Sequence, residues 1–172
     1  RKPSREINVI AVTGTNGKST IVELIAAILE TNGESVASLS TIQFKIGDSV
    51  RPNLYKMTTP GRFFVQHFLR QAVDADCTYA VIEMTSEGAK QFRHKFIEMD
   101  ALVFSNLSPE HIESHGSFEN YKAAKLKIAN QLAASAKQPR YVVANTDDEH
   151  GQDFLNVKVE EKLPYGLSSL KL

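Results

Sequence analysis

The amino-acid sequence predicts an α/β fold, a three-layer α/β/α sandwich with a mostly parallel sheet and a phosphate-binding loop. Short apolar runs alternate with segments of helical periodicity along the 172 residues. This alternation is typical of a parallel sheet that is covered by helices on both faces. A glycine-containing loop joins the first apolar run to the first helical segment, and polar side chains follow several later runs. In such sheets ligands bind beyond the carboxyl ends of the strands.

The apolar runs and the helical segments give the predicted elements in chain order. Strands are predicted over residues 7–12, 36–39, 79–83, 101–104 and 141–144. Helices are predicted over residues 19–31, from Pro60-Gly61 to about 73, within 84–95, and over 118–136 with Ser117 as N-cap. Residues 42–59 are polar and irregular, and could form a hairpin at Gly47-Asp48. The predicted buried stripe of the first helix consists of Ile21, Leu24, Ile25, Ile28 and Leu29.

Composition excludes several classes of protein. The formal net charge is zero, so the chain lacks the broad basic footprint of proteins that bind nucleic acid or anionic membranes, and we expect neither as a partner. No apolar run reaches the length of a membrane span. The single cysteine, Cys77, excludes a disulfide framework within these residues and favours a reducing compartment. We therefore expect a cytoplasmic protein that binds anions only locally.

The loop after the first predicted strand carries the strongest functional signal. It ends in Gly17-Lys18-Ser19-Thr20 and leads directly into a helix. Backbone N–H groups at a helix N-terminus point at a bound phosphate, and the helix dipole adds to the attraction. Lys18 would neutralise the terminal phosphates, and the hydroxyl of Ser19 or Thr20 could ligate Mg²⁺. The general signature has a glycine at the place of Val12, so the alternative is an ordinary strand–turn–helix junction.

Glu83 and two histidines are candidate partners of this loop. Glu83 ends a predicted strand, where a carboxylate can hold Mg²⁺ or a water molecule; alternatively it is a solvated strand-end residue. His111 and His115 are four residues apart and could bind a metal together if the segment were helical. A single histidine that reaches the Mg²⁺ site fits better, because no cysteine or third strong ligand accompanies the pair. Each histidine taken alone is more often a structural residue.

Lys125 lies on the apolar stripe of the helix predicted over 118–136. Tyr121, Lys125, Ile128 and Leu132 share one helical face. A buried ammonium must find a partner, shift its pKa or be chemically altered. The alternative is a lysine whose stem is buried while its charged end reaches solvent at the helix edge.

Several segments occur together in an order that a known family shares. They are Thr13-Gly14-Thr15-Asn16-Gly17-Lys18-Ser19-Thr20, Thr58-Thr59-Pro60, Glu83-Met84-Thr85-Ser86 followed by Gln91 and Arg93, Ser105-Asn106-Leu107-Ser108-Pro109-Glu110-His111, Tyr121-Lys122-Ala123-Ala124-Lys125 and Asn145-Thr146-Asp147-Asp148. In this order they resemble the Mur ligases, the ATP-dependent amide-bond-forming enzymes of peptidoglycan precursor synthesis. The resemblance is greatest to the type that forms the UDP-N-acetylmuramoyl-tripeptide.

The resemblance implies a fold, an activity and a role for each matching residue. The parent enzyme would phosphorylate the terminal carboxylate of a UDP-N-acetylmuramoyl-peptide with ATP, and an amino acid would then attack the acyl-phosphate. The residues that would bind the ATP phosphates are Gly14, Thr15, Asn16, Gly17, Lys18, Ser19 and Thr20. The residues that would hold Mg²⁺ are Ser19, Glu83, His111 and Lys125, the last as a carbamate. Together with Lys18, the last three would be the catalytic residues. The residues that would contact the muramoyl-peptide are Thr58, Thr59, Thr85, Gln91 and Arg93.

The chain departs from the family pattern on the substrate side of the site. Thr85 replaces the usual serine but keeps the hydroxyl, and Glu87 stands where the tripeptide-forming type usually has histidine. Two alternatives to the Mur ligases share the nucleotide-binding loop. The folyl-polyglutamate ligases share the loop but usually have glycine at the place of Ser19, and the Thr-Thr-Pro element speaks against them. A non-catalytic nucleotide-binding module is disfavoured because Glu83, His111 and Lys125 are retained.

The resemblance also implies a domain organisation. The chain starts just before the phosphate-loop strand and ends before the family's adenine-contacting segment. We therefore expect residues 1–172 to be part of the central ATP-binding domain, without the N-terminal UDP-binding domain and the C-terminal domain. Its partners would be the muramoyl-peptide, the amino acid and the remaining domains of the same polypeptide. The isolated chain is expected to be inactive.

Overall fold

Strands with buried apolar side chains form the centre of the structure, a computed structural model that describes residues 2–55, 57–110 and 112–167. The strands are β1 (Asn8–Thr13), β2 (Val36–Leu39), β3 (Gln43–Ile46), β4 (Ser49–Pro52), β5 (Tyr79–Glu83), β6 (Ala101–Phe104), β7 (Tyr141–Asn145) and β8 (Glu161–Tyr165). The helices are α1 (Lys18–Thr31), α2 (Arg62–Asp74), α3 (Ser86–Lys90), α4 (Ile112–His115), α5 (Phe118–Ala133) and α6 (Gly151–Leu155), preceded by a 3-10 turn at Pro3–Arg5.

The strands of the described residues join into one sheet of eight, in the order β4-β3-β2-β5-β1-β6-β7-β8. The six strands from β2 to β8 in this order run parallel. At one edge of the sheet, β3 pairs antiparallel with both β2 and β4. The register pairs Val12 with Glu83 and Thr13 with Phe104. The carboxyl ends of β1, β5 and β6 therefore meet at one edge of the sheet. The predicted fold class is confirmed.

Two apolar clusters on opposite faces of the sheet make the three layers. Side chains of β1 alternate between them, because successive residues of a strand point to opposite faces. Val9 and Ala11 belong to the larger cluster, and Val12 belongs to the smaller one. Helix α1 covers the smaller cluster, while α2, α3, α5 and α6 supply side chains to the larger one. No helix among the described residues is long and apolar enough to cross a membrane.

Most predicted elements are confirmed, but two short helices and one exposed strand were not predicted. The five predicted strands are present within one residue at each end, and the hairpin turns at Gly47-Asp48. Ser117 caps α5 by accepting a hydrogen bond from the Asn120 amide at 3.2 Å, although α5 ends at Ala133 rather than near 136. The short helices α4 and α6 were not predicted. Strand β8 was missed because its residues are all exposed, with Pro164 among them, and therefore carry no apolar run.

The predicted buried stripe of α1 is wrong in part. Leu24 and Ile28 are 57% and 68% exposed, whereas Val22 and Ala26 are buried against the sheet. The N-terminus of α1 is fixed at the end of β1, and this sets which face of the helix meets the strands. Small side chains at 22 and 26 let the helix approach the sheet closely, and the large residues Ile21, Ile25 and Leu29 pack at the flanks.

His94 is a buried titratable residue between α3 and the sheet. Its Nδ1 atom has no hydrogen-bond partner in the part of the chain that the structure describes. Val65, Ile82 and Ile128 line the small cavity beside it. The pKa of His94 is lowered to about 4, mainly by burial and also by the charges of Lys95 and Lys127. The folded protein therefore holds this imidazole in its neutral form.

We predict that His94 makes folding sensitive to mild acid. The unfolded chain takes up a proton near the ordinary pKa of 6.5, whereas the folded chain does so only near 4. Stability is thus lost as the pH falls through this interval, by up to about 3 kcal/mol. In the variant His94→Leu, the free energy of unfolding should depend less on pH between about 4 and 6.5. Urea unfolding at a series of pH values in this interval measures it. His67→Leu, at an exposed histidine, is the control; equal slopes in both variants and wild type would contradict the prediction.

Candidate active site

The phosphate loop connects the end of β1 to the start of α1. Gly17 is the N-cap of α1 and has a φ of 79°, a left-handed conformation that glycine adopts without strain. The amides of Lys18, Ser19 and Thr20 form the first turn, whose N–H groups have no acceptor within a helix. This end of α1 can therefore receive an anion. Gly14 packs so closely on the segment after β6 that a Cβ atom there would lie 1.9 Å from Ser105 Oγ.

The segment after β6 braces the phosphate loop. The Thr15 amide donates to the Asn106 carbonyl at 2.8 Å, and the Asn16 amide donates to Asn106 Oδ1 at 2.9 Å. The Ser108 amide in turn donates to Thr15 Oγ1 at 3.0 Å. Because the amides of Thr15 and Asn16 hold the loop in shape, we expect phosphate to be bound mainly by the first turn of α1. Asn106 thus has a structural role.

Glu83 is the buried carboxylate beside the loop, with 2% of its surface exposed. Ser19 Oγ donates to Glu83 Oε2 at 2.7 Å, and Lys18 Nζ lies 4.0 Å from Oε1. Thr41 contributes its amide at 3.0 Å and its hydroxyl at 3.1 Å to the same carboxylate. The carboxylate is therefore anchored and not solvated, which excludes the alternative of a solvated strand-end residue.

Sequence reasoning missed Thr41. It follows β2, which lies directly beside β5 in the sheet, so its position obeys the same rule that identified Glu83: polar residues after parallel strands meet at one edge. The signal was present in Ser40-Thr41 after the apolar run 36–39.

Lys18 is largely buried and bent back toward its own loop. Its Nζ atom donates to the Thr15 carbonyl at 2.6 Å. Burial lowers the pKa of Lys18, and the nearby carboxylates of Glu83 and Glu110 partly offset this effect. The ammonium thus lies next to the helix N-terminus where the terminal phosphates of a nucleotide would be bound.

Lys125 points inward, as the stripe on α5 predicted. It is 1% exposed, its Nζ atom donates to the Gly14 carbonyl at 2.5 Å, and it lies 4.7 Å from the centre of the Tyr121 ring. Its pKa is lowered to about 7, mainly by burial and also by repulsion from Lys18, while Glu83 and Glu110 oppose the shift. A lysine that reaches solvent is therefore excluded. The amine lies between the phosphate loop and the cleft.

A cleft of about 510 Å³ brings most of the predicted site residues together. Its lining includes Lys18, Thr58, Thr85, Gln91, Arg93 and Lys125. Thr59 lies behind the cleft, where its carbonyl accepts a hydrogen bond from Arg93 Nη1. Glu87, which departs from the family pattern, also lines the cleft and accepts a hydrogen bond from Gln91 Nε2 at 2.6 Å.

The structure describes only one of the two candidate histidines. His111 lies outside the described residues. His115 is buried in α4, and its ring lies 5.2 Å from that of Tyr121 in an edge-on contact. Over the described ranges, no three His, Cys, Asp or Glu side chains form a group that could hold a metal. Asn145 donates to the Ser105 carbonyl at 2.9 Å and so helps to fix the segment after β6 that supports the phosphate loop.

Comparison with known proteins gives the same family as the motifs. The Mur ligase middle domain matches residues 12–171. A UDP-N-acetylmuramyl-tripeptide synthetase from Roseiflexus sp. (strain RS-1) is 35% identical over 175 residues, which cover 96% of this chain and 34% of the relative. A solved UDP-N-acetylmuramoyl-L-alanyl-D-glutamate–2,6-diaminopimelate ligase superposes with a TM-score of 0.80 at 30% identity, covering 96% of this chain and 33% of that one. The chain thus spans about a third of the length of these relatives.

The folyl-polyglutamate alternative has a weaker likeness. The apo form of L. casei FPGS superposes with a TM-score of 0.57 at 18% identity, covering 99% of this chain and 48% of that one, which shows a shared fold alone. The match of the Mur ligase middle domain, in contrast, extends over nearly the whole chain. By this match and by its close relatives, the chain belongs to the Mur ligase family.

Proposed function

We propose that this chain is the ATP-binding part of a ligase that adds an amino acid to a UDP-N-acetylmuramoyl-peptide. ATP would phosphorylate the terminal carboxylate of the peptide, and the amine of the amino acid would displace phosphate and form the amide. The observation that carries the proposal is the cleft in which Lys18 and Lys125 face Thr58, Thr85, Gln91 and Arg93. The cleft of about 510 Å³ extends from the phosphate loop to these polar side chains, which could contact a second substrate.

Mg²⁺ is the cation that suits the oxygen atoms beside the loop. Ser19 Oγ and the Glu83 carboxylate lie 2.7 Å apart, and both are hard oxygen donors of the kind that Mg²⁺ prefers. Bound there, the ion would neutralise charge on the phosphates. Because Ser19 donates its proton to Glu83, the lone pairs of its oxygen remain available to a cation.

Lys18 and Mg²⁺ would stabilise the charge that develops during phosphoryl transfer. Lys18 lies at the N-terminus of α1 and would contact the transferred phosphoryl group. Lys125 lies behind it, and an unmodified ammonium there would repel both Lys18 and a metal ion. Reaction of its amine with CO₂ would release a proton and give a carbamate, an anion that can help to hold the metal. His111 is proposed as a further metal ligand on the strength of the family resemblance.

The remaining assignments are proposals of the same kind. The predicted muramoyl-peptide contacts are supported for Thr58, Thr85, Gln91 and Arg93 by their place in the cleft, and for Thr59 by its bond to Arg93. The other domains of the parent polypeptide are proposed to complete the site, because the relatives are about three times as long. Cytoplasmic location stays a prediction that the single cysteine supports.

The proposed activity is tested with the full-length ligase and with this chain alone. The full-length protein should release ADP and form product only when ATP, the UDP-N-acetylmuramoyl-dipeptide and an accepted amino acid are all present. The 172-residue chain should form no amide, because a lone domain cannot shield an acyl-phosphate from water. Product analysis by mass spectrometry decides both points. Activity with a folyl-glutamate substrate instead would identify a folyl-polyglutamate ligase. Nucleotide binding without any ligation would identify a non-catalytic nucleotide-binding module.

Lys18→Ala is predicted to weaken binding of ATP with Mg²⁺ by about 1.5–3 kcal/mol, the scale of a hydrogen bond to a charged group. Calorimetric titration of the full-length protein measures this loss. The control is Lys162→Ala, at an exposed lysine of edge strand β8. Equal ATP affinity of the Lys18 variant and wild type would remove the phosphate-loop assignment.

Lys125→Ala is predicted to abolish ligation, because it removes the side chain that would carry the carbamate. Short carboxylic acids in the assay should restore part of the rate by occupying the vacated volume, and Lys125→Glu should retain more activity than Lys125→Ala. The control is Lys127→Ala, at an exposed position of the same helix. Normal turnover of Lys125→Ala would contradict the prediction, and a loss that no carboxylic acid restores would point to a structural role.

A further inference from the structure

Thr41 lies between the carboxylate of the phosphate-loop site and a residue of the proposed peptide site. Its hydroxyl is 3.1 Å from Glu83 Oε2 and 3.2 Å from Oε1, and its amide donates to Oε2 at 3.0 Å. On its other side, Thr41 Oγ1 is 2.8 Å from Thr58 Oγ1. A continuous chain of hydrogen bonds therefore runs from Ser19 through Glu83 and Thr41 to Thr58.

The chemistry of these groups fixes the direction of the hydrogen bonds. An ionised carboxylate can only accept, and a hydroxyl carries a single proton. Thr41 therefore donates its proton to Glu83, and its oxygen accepts the proton of Thr58. With its proton committed, Thr58 has only lone pairs left to present to the cleft that it lines. It can accept a hydrogen bond there but cannot donate one.

Glu83 thus orients two hydroxyl groups in the same sense. Ser19 donates to it directly, and Thr58 donates to it through Thr41. The oxygen of Ser19 is left to face a cation at the phosphate loop. The oxygen of Thr58 is left to face a hydrogen-bond donor at the peptide side, where the N–H groups of a peptide are the natural donors.

We propose that Thr41 is a positioning residue that makes Thr58 an obligate hydrogen-bond acceptor for an amide N–H of the muramoyl-peptide. The proposal rests on the function proposed above and identifies the donor that this part of the cleft selects. Thr41 itself need not touch the substrate. Without its hydroxyl, Thr58 could rotate and present its proton, and the preference for an N–H group would be lost.

The test compares variants of the full-length ligase that differ by one hydroxyl. Thr41→Val removes the hydroxyl at constant shape and leaves the backbone amide that donates to Glu83. Thr41→Ser restores a hydroxyl. Together with Thr58→Val and the double variant Thr41→Val/Thr58→Val, these proteins form a double-mutant cycle. For each protein the KM values for the UDP-N-acetylmuramoyl-dipeptide and for ATP, kcat and the Tm are measured. Each is also assayed with dipeptide analogues in which one amide is replaced by an ester.

The expected result is a rise in the dipeptide KM of Thr41→Val by about threefold to tenfold, the loss of one net hydrogen bond, with the ATP KM and Tm nearly unchanged. Thr41→Ser should recover the wild-type value. The double variant should be no worse than Thr58→Val, because both changes break the same chain. Wild type should disfavour one ester analogue relative to the amide, and Thr41→Val should discriminate less.

Other outcomes overturn the inference without touching the proposed function. Additive effects of the two valine variants would show that Thr41 does not act through Thr58. Equal use of amide and ester by wild type would show that no N–H group is recognised. A rise in the ATP KM or a fall in Tm that matches the change in dipeptide KM would assign Thr41 a structural role. If wild type does not ligate the dipeptide at all, it is the proposed function that fails.

Discussion

The attraction between one buried carboxylate and two buried ammonium groups is the interaction on which the site depends. Burial lowers the pKa of both Lys18 and Lys125, repulsion by Lys18 adds to the shift of Lys125, and Glu83 opposes the loss of charge on both. A buried charge is tolerated only when it is paired or hydrogen-bonded. The register of the paired strands β1 and β5 brings Glu83 to the phosphate loop that carries Lys18, and helix α5 adds Lys125 through its bond to the Gly14 carbonyl. The sheet thus determines the electrostatics of the cleft.

Much of this arrangement could be predicted because it follows from local pattern. The phosphate loop was found from its glycines, lysine and hydroxyls between a strand and a helix. The inward direction of Lys125 was found because Tyr121, Ile128 and Leu132 share its helical face, and all are buried. Glu83 was found from its place after an apolar run. Each of these inferences needed only the neighbouring residues and the period of one element.

The features that escaped prediction depend on contacts between distant segments. Thr41 follows an apolar run just as Glu83 does, but its contact with Glu83 requires β2 to lie beside β5, which no local pattern reveals. The buried face of α1 follows from how the helix leaves β1, so the larger side chains of Leu24 and Ile28 were mistaken for core residues. Strand β8 pairs with β7 through its backbone. Its residues are all exposed and include a proline, so they show no alternation of apolar and polar side chains that would predict a strand.

The bond between Lys125 and the Gly14 carbonyl also has a consequence for the order in which the protein becomes functional during synthesis. It joins residues 111 positions apart in the chain, and the contact of Thr15 with Tyr121 spans 106. Such contacts close large loops and form late in folding. The ribosome makes the phosphate loop before α5, and the partners of the loop on that helix, Lys125 and Tyr121, emerge only after more than a hundred further residues. The segment with the most recognisable sequence is therefore among the last to reach its working shape.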